Sequence, residues 1–510
     1  MGALMTRILR VPTAAAIVFA SIAFLPEARA DWKDMFSMSG NIQSDIRFIM
    51  DDWRGEKPGE GYEFEMNRNE VNLRLRVDPA DRVQAVVDTR FRFFGFNKAA
   101  SLPELIDRER LDPYSLQLTE AYVAVRGLPW SRMDIKIGRM VQIWGTADMF
   151  NPTDNLNSRD FSDPLSYVDK VPNNMIDLTI YPTDWMTIQA VWVPTFKPAQ
   201  LPPSAVMGFA LDYDANGCVS GFPAPPLDQP GQAALENMYG VLESQNLCLQ
   251  SAPPQVKTVI PKNSMANSQA GLRSKFHFGP VDFSLSYYYG RFGFPVAYTA
   301  TANIVGGNNL EYVAEIVYPR MQVLGVDFAY TSENPWVPGF QAEAALIFPE
   351  QVTFGMAAFA DGQPYPLSGG SNTLAAVNVP STPFVKATAG MDWSYRDWFY
   401  VNLMYVRGFF DEFNDRFGLH NYFVAATEFK FFDNELQIRL AGVLDCDDLS
   451  AVAYPQVTWI VAPSMEIIGG YMHFFGDTKP RDTFDYSTKS RFGQRAAGRN
   501  VAFLKGKVSW

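Results

Sequence analysis

Basic side chains recur at even spacing in two neighbouring stretches, Arg68, Arg74 and Arg76 in one and Arg90 and Arg92 in the next. Lys136, Arg273 and Lys275 continue the pattern further along. Even spacing puts side chains on one face of an extended strand, so these cations form rows on a wall. Two chemistries follow. With Glu70, Asp88 and Glu120 in the same stretches they pair and stiffen the wall, because charges need partners wherever water is scarce. Left unpaired, they form a basic ladder that guides anionic groups through a pore. A second set lies in residues 143–173, where Trp144, Asp148, Asn151, Asp154, Arg159 and Asp160 sit among Gly, Pro and Asx residues that favour a fixed, turn-rich path. Acidic groups on such a loop, opposite the arginines, would set a transverse field across a constriction.

Catalytic chemistry finds little support. The three histidines are His277, His420 and His473, and an activated nucleophile needs a base beside it. The segments expected beside His473 offer Pro455, Ala453 and Ala502 instead of a serine. No catalytic residue is assigned and no enzyme activity is expected. Three Cys with three His leave little for structural zinc, and no nucleotide fingerprint or EF-hand pattern stands out, so neither a metal nor a cofactor is expected. Asp445, Asp447 and Asp448 read as a solvated turn or as a divalent-cation or lipopolysaccharide-bridging cluster. A net charge of −12 excludes the basic footprint of sequence-independent nucleic-acid binding.

The elements that must position these residues follow from period and length. The 510 residues are 47% hydrophobic, 14% aromatic and only 19% charged, below the roughly 25% charge of a soluble domain. Mean hydropathy is −0.10, which excludes a bundle of helical spans of about 20 apolar residues each. Residues 1–30 carry Arg7 and Arg10, an apolar run and Ala28-Arg29-Ala30, the pattern of a cleaved secretory signal peptide. From there on, segments of alternating apolar and polar residues dominate. Val71, Leu73, Leu75 and Val77 interleave with Asn72, Arg74 and Arg76, and Ala502, Leu504, Val508 and Trp510 with Lys505 and Lys507. About 18 such segments, with 16 as the alternative count, alternate between short turns such as Gly279-Pro280 and long connections such as 96–115, 294–319 and 349–383. Aromatics gather at segment ends.

A β-sandwich alternates too, but it needs no such asymmetry of connections. The expected fold is therefore all-β: one transmembrane antiparallel barrel over residues 31–510, with short periplasmic turns and long extracellular loops, in the bacterial outer membrane. Residues 143–173 are the candidate constriction loop and 196–266 a long lid or plug loop. Cys218 and Cys248 are candidates for a disulfide within the latter.

The stretch Gly138-Arg139-Met140-Val141-Gln142-Ile143-Trp144-Gly145, followed by Asn151-Pro152-Thr153-Asp154, resembles the Gly-Arg-Gln…Trp-Gly…Asn-Pro-x-Asp signature of a proteobacterial outer-membrane family of unknown function. Tyr318-Pro319-Arg320 to Leu324-Gly325-Val326 resembles that family as well, although Met140 stands where its pattern often has Gln. The topology is similar to that of general porins. The family resemblance implies export or trafficking of a hydrophobic compound, with an RND-type exporter and a periplasmic carrier as partners. The last segment, ending on Trp510, resembles the carboxyl-terminal signal read by the barrel-assembly machinery. Expected functions are thus a porin-like channel for small or hydrophobic molecules, a component of lipid or hydrophobic-compound export, or a structural or adhesive surface barrel, in contact with outer-membrane lipids and lipopolysaccharide.

Overall fold

The computed structural model describes residues 35–51, 62–201, 212–213, 219–221, 250–251, 255–365, 371–413, 418–476 and 499–510, apart from 97, 100, 128, 167, 307 and 308. Residues 1–30, most of 196–266, and both Cys218 and Cys248 lie outside the described residues.

Eighteen strands form one sheet, each pairing antiparallel with its neighbour. The first, Phe36–Asp51, pairs with the last, Arg499–Ser509, so the sheet closes and leaves no edge. Register follows the alternation: Val71 stands opposite Phe91 and Asn72 opposite Arg90, and a slip of one residue would turn every arginine outward. Leu75, Val87, Leu116, Ile137, Leu272, Leu324 and Leu504 are exposed on the outside, while Asp45, Arg47, Glu70, Arg92, Asp177, Asp327 and Glu343 are buried on the inside. Apolar side chains outside and charges inside is the inverse of a soluble core and the arrangement of a membrane barrel. At the short-turn end aromatics form a belt, where Trp185 stacks on Phe278 at 5.5 Å and Phe399 packs against Trp398 and Phe429.

The connections 294–319 and 349–383 differ from the expectation of plain loops. Each is a hairpin: Val296–Val305 with Asn309–Val317, and Val352–Ala360 with Thr373–Val379. Val296–Val305 and Val352–Ala360 pair in parallel, and Gln255–Thr258 joins the free side of Asn309–Val317, making a second sheet outside the barrel wall. One face of it buries Ala300, Ala302, Leu310, Tyr312, Phe354, Met356 and Ala358. Its roots, Val296, Val317, Val352 and Val379, pack with Met321, Ala345, Ile347 and Phe384 of the wall, so the second sheet grows from the long-loop end of the barrel.

Candidate functional site

The fifth strand, Met133–Met140, ends where the chain turns into the lumen. Trp144 drives that turn. Its ring is 1% exposed and packs with Met140, Leu156, Met175 and Val191, while its indole Nε1 donates to Gln189 Oε1 at 2.9 Å. The residues of the signature close on one another: Asn151 Nδ2 donates to the Trp144 carbonyl at 3.2 Å, and the Trp144 N–H donates to Asp154 Oδ1 at 3.2 Å. Gly145 has φ of +101°, a conformation side chains disfavour, and the Glu343 carboxylate stands where its Cβ would be. Glu343 accepts from the Thr146 N–H, from the Ala147 N–H at 2.6 Å and from the Thr153 hydroxyl at 2.9 Å.

Glu343 belongs to Gly339–Pro349, the eleventh strand of the closed sheet, so this turn has already left its own wall. Beyond it, Asp148 accepts from Asn402 Nδ2 at 2.9 Å and Gln341 Nε2 at 3.3 Å, and Thr388 Oγ1 donates to the Phe150 carbonyl at 2.7 Å. Phe150 is buried with Met404, Val406 and Tyr422. The loop then reaches the first strands. Asp163 binds Arg47 through two bonds of 2.6 and 2.8 Å and Arg68 at 2.9 Å, and Asp169 lies 3.4 Å from Arg90. Residues 143–173 therefore run from wall to wall across the lumen. Charge burial tunes the loop: the Arg47 and Arg68 guanidiniums hold the Asp163 carboxyl well below the usual carboxylate range despite its burial, and burial lowers Lys170 to about 8 beside Asp154.

The predicted wall cations all stand on barrel strands, and most are paired. Arg92 bonds Glu70 at 2.6 Å, Arg74 lies 3.3 Å from Asp88 and 3.1 Å from Glu120, and Arg76 bonds Asp78 at 2.6 Å. Arg273 holds Asp327 at 3.1 Å and Lys275 lies 3.8 Å from Asp282. Lys136 makes no ion pair among the described residues. The stiffened wall is thus what the geometry favours over an unpaired ladder. In place of the expected transverse field there is direct contact, because Asp163 bonds Arg47 and Arg68 and Asp169 lies 3.4 Å from Arg90, while Asp154 is held within the loop by Lys170, with Arg159 at 3.9 Å. The Asp160 carboxylate accepts from the Ser162 N–H at 2.9 Å, within its own turn, while its N–H donates to the Asp169 carbonyl at 2.9 Å. Sequence reasoning passed over Asp45, Arg47 and Glu343. Their only signal is a charge at inward parity in an otherwise uncharged stretch, as in Ala342-Glu343-Ala344.

On the long-loop side of this crossing lies a partly open pocket. Phe150, Phe292, Phe294, Phe409, Phe410 and Phe413 line it together with Arg159 and Lys386. Phe292 stacks on Phe413 at 4.1 Å and Phe150 on Phe410 at 5.3 Å. The Arg159 guanidinium lies over the Phe410 ring at 4.0 Å, and Lys386 Nζ donates to the Phe409 carbonyl at 2.6 Å. Among the described residues a separate group, His420, Asp445 and Asp447, brings ligand atoms within 4.8 Å of one another. There His420 Nδ1 lies 2.6 Å from Asp445 and the Asn421 N–H donates to Asp447 at 2.6 Å, which gives these groups partners within the protein.

Among solved structures the chain is similar to a mutant form of Rh. blastica porin, at 9% identity and a TM-score of 0.34, covering 93% of this chain and 100% of that one. It is also similar to Salmonella typhi OmpF in complex with daunomycin, at 8% identity and a TM-score of 0.39, covering 94% of this chain and 99% of that one. No curated protein matches the sequence. The profile of a family described as "Protein of unknown function (DUF1302)" matches residues 30–383, and the chain belongs to that family.

Proposed function

We propose that this protein is an outer-membrane transport barrel that carries a hydrophobic small molecule through a closed lumen, with no open water-filled path for bulk solutes. The carrying observation is the phenylalanine-lined pocket seated on a loop that crosses from wall to wall. A barrel of this strand number has a lumen wide enough for water unless loops fill it. Here Trp144, Leu156, Phe292, Val352, Phe384 and Phe413 form one apolar cluster with the inner wall. Apolar side chains inside a barrel favour an apolar cargo, since they give ions nothing that replaces hydration. Catalysis has no place in this reading, and the family resemblance, which implies export of a hydrophobic compound, points the same way.

A second reading, a diffusion pore, draws on one observation. Glu428, Arg439, Gln456 and Lys505 on the later strands point inward and are only half-buried, a polar strip along which water could pass. Single-channel recording of the purified protein in planar bilayers separates the two. Transport of an apolar cargo predicts a barrel without stable open steps; steady ohmic steps in every insertion would replace it with the pore.

A further inference from the structure

The pocket is not uniformly apolar. Arg159 and Lys386 are 8% and 6% exposed, respectively, and among the described residues only Arg159 has a carboxylate within ion-pair distance. Lys386 spends its one short bond on the Phe409 carbonyl and has no carboxylate within ion-pair distance among the described residues. Among the described residues Arg159 has one ion-pair partner, Asp154 at 3.9 Å, a carboxylate shared with Lys170, and a 3.5 Å bond to the Met149 carbonyl. Glu412, an acid on the Phe409 side of this corner, accepts from the Phe409 N–H at 2.9 Å, the His420 N–H at 3.1 Å and the Tyr422 hydroxyl at 2.6 Å. Burying a cation without a paired anion is costly. A ligand that brings one anionic oxygen pair would offset that cost, and burial of Arg159 in turn strengthens what it could bind. The phenylalanines that line the pocket supply the rest, an apolar surface that suits a hydrocarbon body.

We propose that the lumen pocket binds amphiphiles bearing a single carboxylate, the acid group between Arg159 and Lys386 and the apolar body among the phenylalanines. This rests on the transport reading above and narrows its substrate class. One carboxylate supplies the single oxygen pair that the two cations can share. The acid is held by charge-assisted bonds; its neutral analogue would leave Lys386 buried without a paired anion.

The test uses the purified full chain in lipid nanodiscs and titrates dodecanoate against dodecan-1-ol by calorimetry. Dodecanoate is expected to bind at one site about tenfold or more tightly than the alcohol, the range of charge-assisted hydrogen bonds. Lys386→Met should abolish that preference and Lys386→Arg should retain it. Equal binding of acid and alcohol by the unaltered protein would overturn the carboxylate assignment while leaving apolar transport in place. Binding of neither, together with steady open conductance, would overturn the transport reading itself.

Discussion

Arg47, on the first strand of the wall, grips Asp163 of the in-folded loop through both terminal nitrogens, at 2.6 and 2.8 Å. Both groups are nearly inaccessible, and Asp45 and Arg68 join them in a buried network that extends through Glu70 to Arg92. Removing one partner from such a set leaves an uncompensated buried charge, at a cost of about 3–5 kcal/mol. Asp163→Asn should therefore loosen the loop without opening the sheet, since the strand ladder does not depend on it. Thermal unfolding followed by circular dichroism should show unchanged strand content with a lower Tm, and bilayer recordings should gain flickering openings. A variant as quiet and as stable as the native chain would mean that the pair contributes nothing to holding the loop.

The same carboxylate sets a pH dependence. Asp163 is held below its ordinary value by the Arg47 and Arg68 guanidiniums, which outweigh the opposing effect of burial. The folded form thus binds its proton less readily than the unfolded chain. Its contribution is complete above the ordinary aspartate pKa of about 3.9 and declines as pH falls further, through the depressed value. Channel closure should persist unchanged from pH 7 to about pH 4 and weaken only in stronger acid. Opening that begins near pH 6 would point to a histidine instead.

Gly325 marks the place where the loop meets the far half of the wall, on the inward side of Arg320–Tyr330. A Cβ there would strike Ser286 Oγ and come within 2.7 Å of Thr153 Cγ2, and Thr153 is one of the three donors to Glu343. Gly325→Val should push the turn from its seat at about 1–3 kcal/mol, the usual cost of overpacking. Glu343→Ala should do so by leaving donors unsatisfied. The two effects should be less than additive in a double variant, because both release the same turn; full additivity of the Tm shifts would separate them.

The barrel was legible because its signal is redundant. Every strand repeats the parity of its neighbours, so Leu73 and Leu75, or Ile438 and Leu440, name a lipid face even where one boundary is off by two residues. The second sheet lacked that redundancy. Its buried face relies on Ala300, Ala302, Ala314, Ala358 and Ala376, and alanine marks neither a strand nor a core strongly. Within the site, the loop from Trp144 to Asp154 was found by its composition, but its anchors were not. Glu343 lies 190 residues or more from the groups it binds, and only a closed sheet tells which strands face each other. Pairing of the wall arginines was open for a related reason: parity assigns a face, and register decides which charges touch.

Cys446 offers a test of orientation. It is an exposed free thiol in the connection between Leu436–Asp445 and Ala451–Ala462. That connection lies at the same end of the barrel as residues 143–173 and the second sheet, since successive antiparallel strands alternate direction and the intervening turns, such as 432–435, lie at the other end. If the long-loop end faces the medium, as a membrane barrel with short periplasmic turns requires, a membrane-impermeant maleimide should label Cys446 on intact cells. The background should carry Cys218→Ser and Cys248→Ser so that one thiol is read. The control is a cysteine placed at Asp433, in a turn of the short-turn end, which should react only after the envelope is opened. Labelling of Asp433→Cys but not Cys446 on intact cells would invert the barrel, and with it the side from which cargo enters the phenylalanine pocket.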